Sequence, residues 1–382
     1  MNDHVADQVD DSLLVETLSC ADGSLIGVAT LNRPQTLNGL SLDMTRLLDK
    51  ALKDWAERDD VVAVIFKGAG EKAFCAGGDL HGLYHEMIEH KGQPASANQY
   101  ACDFFSEEYA LDYLIHTYSK PIICWGDGIV MGGGMGLMAG ASHRIVTDTS
   151  RLAMPEINIG LFPDVGGSWL LSRCPGQTGL FLALTGALIG ASDAIYTSMA
   201  DHAVARDQWE GLVASLKAAP WKRDERDFQG VTDVIHALPR LELQPGPLQK
   251  NRELIDRACQ GYDLEQIAAN LVELGTHEDP WLTKASQTYQ KGCPATARLS
   301  WLLLRQARHL SLAEIFRIEY GVAIECAARG NFQEGIRAVL IDKDRNPKWQ
   351  PATLAETAGD WAKPYFSLSI DDPAHPLAGL GR

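Results

Sequence analysis

A chain of 382 residues is longer than one ordinary domain needs, and 46% hydrophobic with 22% charged residues is the make-up of a folded protein, which excludes long disorder beyond the first ten or so positions. A net charge of -16, with no cluster of Lys and Arg among aromatics, sets the molecular field against nucleic acid and anionic membrane, so neither is an expected partner. The eight cysteines are dispersed without a CxxC pair and read as reduced thiols; the opening MNDHVADQVDDS is acidic where a targeting leader would be basic, so the expected location is cytoplasmic.

Residues 25–31 (LIGVATL) are apolar and β-branched enough for a strand. Ser41 then offers an N-cap to a segment in which Met44, Leu47, Leu48, Ala51, Leu52 and Trp55 fall on one helical face, a helix ending near Arg58. Further strands are expected at 61–66, 121–125 and 143–148, and strands alternating with helices imply parallel pairing, so the first half is α/β. The uncharged run 174–192 contains Pro175 and several glycines and reads as a buried core helix, not a membrane span. Past about residue 205 helical periodicity dominates. Residues 294–310 carry an apolar face with Arg305 and Arg308 on another side, Ser311 and Glu314 form a capping box, Gly330 is placed to end that helix, and Asn331 with Glu334 to open another. Two units are therefore expected, a core over 12–205 and a mainly helical region over 206–382.

Three stations follow strand signals in the first half: FCAGGDL (74–80), DGIVMGGGMGL (127–137) and MPEINIGLFPDVGG (154–167). The first two put glycines where a strand gives way to a helix, which exposes unpaired N–H groups, and two such turns facing each other make an oxyanion hole. The third supplies two carboxylates, Glu156 and Asp164. A lone GGG is more often a tight turn than an anion site, and an acid beside a proline is usually a solvated loop residue. The order and company of the three stations outweigh those readings. His81 and His85 stand at i and i+4, but no third ligand completes a set and no metal is expected.

NRPQTLNGLSLDM, AFCAGGDL, GIVMGGGMGL and MPEINIGLFPDVGG resemble the successive motifs of the crotonase (enoyl-CoA hydratase and isomerase) superfamily over roughly residues 12–205. The resemblance implies an α/β crotonase fold, a spiral of repeated ββα units, here with a mainly helical C-terminal part. It implies an acyl-CoA substrate, with coenzyme A part of that substrate and no separate cofactor, and the amides of Gly78 and Gly133 as oxyanion donors. Hydratases of the family carry one glutamate two residues after GGG, which is Gly136 here, and a second that matches Glu156. A glycine moves no proton. Glu156 followed by Phe162, Pro163 and Asp164, together with FFSEEYALD (104–112) and GIRAVLIDKDRNPKW (335–349), instead resembles the 3-hydroxyisobutyryl-CoA hydrolase branch.

That branch implies hydrolysis of a short 3-hydroxyacyl-CoA, such as 3-hydroxyisobutyryl-CoA in valine degradation. Glu156 would be nucleophile or general base, Asp164 would orient or deprotonate water or bind the substrate hydroxyl, and Glu108 would contact substrate. The coenzyme would run past Ala76 and the 35–38 loop, where the lysine many crotonases use is His81. An enoyl-CoA hydratase or isomerase is the alternative, and a non-catalytic acyl-CoA binder a second. A serine hydrolase lacks its G-x-S-x-G and a nicotinamide enzyme its GxGxxG. Crotonases often assemble, so a homo-oligomer is possible.

Overall fold

The computed structural model describes residues 11–382; the acidic opening segment lies outside the described residues except for its last two positions. Nine strands are present among them: β1 (Leu13–Ser19), β2 (Leu25–Leu31), β3 (Val61–Gly68), β4 (Ala73–Cys75), β5 (Ile122–Gly126), β6 (Ile129–Met131), β7 (His143–Val146), β8 (Arg151–Ala153) and β9 (His202–Ala203). The larger sheet runs β1-β2-β3-β5-β7-β9 and the smaller β4-β6-β8. All pairs are parallel except β1 with β2. The chain places a strand in the large sheet, then one in the small sheet, then a helix, three times over. This is the repeated ββα spiral of the crotonase fold.

Parallel strands covered on both faces are near-continuous apolar runs, which is why β2 and β3 were legible. In β3, Val61, Val64 and Phe66 enter the main core, while Val62, Ala63 and Ile65 face the helices Trp209–Ala218 and Arg226–Ala237. Helix α1 (Leu42–Glu57) starts where the Ser41 hydroxyl accepts from the Met44 amide at 3.2 Å. Its buried Trp55 lies over Gly27, where a Cβ would sit 2.7 Å from the indole, so the strand needs glycine there.

Helices α2 (Leu80–Glu89), α3 (Gln99–His116), α4 (Gly133–Ala139), α5 (Gly167–Leu171), α6 (Thr178–Thr185) and α7 (Ala191–Tyr196) complete the first half. α6 is buried, and no helix among the described residues is long and apolar enough to cross a membrane.

In the second half the helix Pro294–Ala307 packs on α5 and α6, and the helix Leu312–Ala328 packs on α3. The Ser311 and Glu314 capping box is formed, and Gly330, at φ 90, follows the helix. Asn331 departs from expectation. Gly330 occupies the cap position, and the Asn331 side chain instead donates to the Gln350 carbonyl at 2.7 Å and accepts the Gln350 amide at 2.9 Å, anchoring a later loop.

One apolar core draws on both halves. They also meet backbone to backbone: Gly160, at φ 76, lies against Asn331, and Gly335 lies against Ile159, with no room for a methyl at either. Gly335→Ala is expected to destabilise the fold by about 1–3 kcal/mol, as overpacking does. Urea unfolding, with the midpoint lowered at an unchanged slope, is the measurement.

Candidate active site

The three stations leave the C-terminal ends of three neighbouring parallel strands. β4 ends at Cys75, β6 at Met131 and β8 at Ala153, and pairing of β4 with β6 and of β6 with β8 sets the loops that follow side by side. In the first two loops a glycine takes a backbone conformation closed to most side chains, Gly77 at φ 121 and Gly132 at φ 48. Each bend frees the amide of the next residue: neither the Gly78 nor the Gly133 N–H has a partner within the chain among the described residues. Gly133 opens α4, where a helix leaves its amides unsatisfied. A Cβ on Gly133 would lie 3.5 Å from the Gly78 nitrogen, so the two amides border one spot.

Carboxyls surround that spot. Glu156, on the turn after Pro155, is 3% exposed; its Oε1 would be 3.3 Å from a Cβ on Gly132, and its Oε2 has no partner among the described residues. Asp164 accepts the Tyr109 hydroxyl at 2.8 Å. Glu108 projects from α3 so that a Cβ on Gly133 would lie 2.5 Å from its Oε1, which is also unpartnered. Position 133 must therefore be glycine for both roles to coexist. Ala76, Gly78, Glu108, Gly133, Glu156 and Asp164 all line one cavity of about 80 Å3, so these six are brought together, whereas the 35–38 loop and His81, expected along the coenzyme, do not line it. Phe104, Phe105 and Phe332 form its apolar side, Phe332 coming from the second half. The volume is well below the roughly 300–1,000 Å3 of pockets that enclose drug-sized ligands. A larger hollow of about 260 Å3, near Trp301, Arg305 and Arg308, contains no carboxylate, so size alone does not mark the site.

Asn38, in the loop expected along the coenzyme, is a structural staple. Its Oδ1 accepts from the Arg33 amide at 2.9 Å, and its Nδ2 donates to the Ala69 and Ala73 carbonyls at 2.9 and 2.8 Å.

Position 136 explains itself sterically. A Cβ there would lie 2.7 Å from Asp112 Oδ2 and 2.8 Å from the Val165 Cβ, so the path by which a residue at 136 would extend is filled. Asp112 is wholly buried, with both oxygens unpartnered, and does not line the cavity.

Sequence reasoning missed Tyr109, Asp112, Phe332 and Glu319. Tyr109 and Asp112 lie within FFSEEYALD, and Asp112 falls one helical turn after Glu108, a spacing that could have flagged it. Glu319, on the helix Leu312–Ala328, had no local signal; its carboxylate accepts the Gly166 and Ser168 amides at 2.7 and 2.9 Å, next to Asp164.

Burial governs the ionisation of this cluster. Removal from water, then the charge of Asp164, pushes Glu156 and Glu108 well above the usual carboxylate range. Burial also raises Asp164 to about 7, against the Tyr109 hydrogen bond that lowers it, and raises Glu319 to about 8. Such an arrangement can hold an anionic oxygen on amides, keep one acid neutral as a donor, and ionise another near neutrality as a base.

Comparison with known proteins agrees with this geometry. Residues 26–366 match the family model for enoyl-CoA hydratase/isomerase. Among curated proteins, the chain is 39% identical to "3-hydroxyisobutyryl-CoA hydrolase, mitochondrial" of Danio rerio, covering 91% of this chain and 88% of that one. It is 34% identical to the Homo sapiens protein of the same name, covering 95% and 90%. Among solved structures, a carnitinyl-CoA dehydratase from Mycobacterium thermoresistibile is 36% identical with a TM-score of 0.82, covering 95% of this chain and 98% of that one. An enoyl-CoA hydratase from Rhodobacter sphaeroides 2.4.1 is 33% identical with a TM-score of 0.80, covering 96% and 98%. With strand order, oxyanion bends and family model in agreement along nearly its full length, the chain belongs to the enoyl-CoA hydratase/isomerase family of the crotonase superfamily.

Proposed function

We propose that the protein hydrolyses a short-chain 3-hydroxyacyl-CoA thioester, with 3-hydroxyisobutyryl-CoA as the substrate and 3-hydroxyisobutyrate and free coenzyme A as products, a step of valine degradation. The observation that carries this reading is the pairing of Glu156 and Asp164 with two free amides in a cavity where position 136 offers no carboxylate. The names of the curated relatives point the same way. The two similar solved structures, a carnitinyl-CoA dehydratase and an enoyl-CoA hydratase, favour hydration chemistry instead, but that reading needs a proton carrier at 136, where Asp112 and Val165 fill the space.

The thioester oxygen accepts from the Gly78 and Gly133 N–H groups, which stabilise the negative charge that grows as the carbonyl carbon becomes tetrahedral. One such donor is commonly worth about 3–4 kcal/mol of barrier. Ionised Glu156 supplies the push in one of two ways. It attacks the carbonyl carbon to form a mixed anhydride that water then opens, or it takes a proton from the water that attacks. In both, the carbon–sulfur bond breaks and coenzyme A departs as thiolate. Asp164, held by Tyr109, orients the water. Glu108 stays neutral through burial and so can donate to, as well as accept from, the substrate 3-hydroxyl.

Thiol release from 3-hydroxyisobutyryl-CoA tests the reading. Wild type should cleave it without hydrating crotonyl-CoA, and Glu156→Gln should lose about 10²–10⁴ in kcat. Hydration of crotonyl-CoA without thiol release would establish the hydratase instead, and neither signal would indicate a bare binder.

A second expectation concerns pH. The base works only when ionised, so kcat/KM rises with pH up to the raised pKa of Glu156. Asp164→Asn removes a like charge beside it, and the ascending limb of the residual activity moves to lower pH. The same substitution should raise thermal stability at pH 8. A carboxyl at about 7 when folded and 3.8 when unfolded leaves the native state fully stable below about 4 and weakens it progressively up to about 7. The advantage of Asn should therefore vanish below about pH 4, as melting curves at the two extremes would show.

A further inference from the structure

We infer that Glu319, supplied by the C-terminal half, is a positioning residue that clamps the turn carrying Asp164 in a strained conformation. The inference rests on the thioesterase reading for its readout, but on the backbone for its argument.

Val165, the residue directly after Asp164, sits at φ 51, and Gly166 follows at φ 78. Glycine adopts such angles freely, whereas a β-branched residue there is a genuine outlier that the surroundings must impose. The surroundings that do so are visible. Gly166 and Ser168 turn their amides toward the same side, a concavity of successive N–H groups of the kind that holds anions. Glu319 fills it, with Oε2 accepting from Gly166 at 2.7 Å and Oε1 from Ser168 at 2.9 Å. Glu319 has no exposed surface, so neither amide has water as a substitute acceptor. The turn is closed further by the Gly167 amide donating to the Asp164 carbonyl at 2.6 Å.

Two helices thus grip the turn. α3 holds the Asp164 side chain through Tyr109, and the helix Leu312–Ala328 holds the backbone through Glu319. Those helices pack on each other, and the Phe316 ring lies between them, 5.8 Å from the Tyr109 ring and against Gly166. Val165 also lines the cavity, its Cβ 2.8 Å from where a Cβ on Gly136 would sit, so relaxing its φ would swing both its own side chain and the Asp164 carboxyl away from the reacting atoms. Glu319 touches no part of the cavity itself. Its effect reaches the chemistry only through the geometry of residues 164–166.

Glu319→Gln tests the clamp. Glu319, ionised or neutral, offers a lone pair on each oxygen, whereas glutamine presents one acceptor oxygen and one NH2, so one backbone donor faces another donor and the turn loses half its hold. With 3-hydroxyisobutyryl-CoA, kcat should fall about 10- to 100-fold, the cost of a displaced catalytic group, while KM stays within about twofold. Adding Val165→Gly, which removes the strain to be held, should return about fivefold of the lost kcat. A residue needed only for folding would show neither the split between kcat and KM nor the rescue. Unchanged kcat in Glu319→Gln overturns the proposal, and so does a loss that Val165→Gly does not relieve. Should Glu319→Gln fail to fold, Glu319→Asp, which keeps both acceptors on a shorter arm, takes its place with the same expected split and rescue. Wild-type protein in the same assay separates the two readings: no cleavage by wild type rejects the thioesterase, whereas undiminished cleavage by the variant rejects the clamp.

Discussion

Two main-chain amides left without a partner among the described residues, bordering one small cavity, are the constraint that the rest of the molecule serves. Backbone N–H groups are almost always paired when buried, so a pair left free implies that a ligand oxygen is meant to take them. The small sheet makes the pair possible. Because β4, β6 and β8 run parallel as neighbours, the bends at Gly77 and Gly132 and the turn bearing Glu156 emerge side by side at one end of the sheet, from segments far apart in sequence.

The same cavity concentrates acids that the protein would be more stable without. Glu108, Asp112, Glu156, Asp164 and Glu319 are all buried, and none forms an ion pair with a cation among the described residues. Burial raises Glu108 and Asp112 well above the usual carboxylate range, so they stay protonated and a full desolvation penalty is avoided. What stability is given up leaves a cluster in which neutral acids can donate and Asp164, at about 7, can change charge near neutrality. The C-terminal half belongs to this arrangement. It contributes Phe332 to the cavity wall and Glu319 to the Asp164 turn, and its backbone rests on Gly160 and Ile159 within the third station.

What the sequence made legible follows from range. The strands at β2, β3, β5 and β7, the α1 face and the Ser311 cap are set by neighbours within a few residues, and local pattern found them. The three strands of the small sheet escaped because each is only three residues long and merges into a glycine-rich station; β1 escaped because its outward positions are exposed on an edge. Glu156, Asp164, Gly78 and Gly133 were legible as motif residues, yet their convergence is a property of the sheet. Glu319 was not legible at all. Its partners lie about 150 positions earlier, and a glutamate inside an amphipathic helix reads as a solvated residue. Asn331 misled for the opposite reason, since a cap signal at the right spacing was overridden by a long-range bond to Gln350.

Isotope-edited infrared spectroscopy of a carbonyl-labelled 3-hydroxyisobutyryl-CoA bound to the Glu156→Gln variant reads the central interaction directly. Two amides donating to the thioester oxygen weaken its double bond, so the carbonyl band should move to lower frequency on binding. A band left where it stands in free solution, from a complex shown to be saturated, would contradict the account.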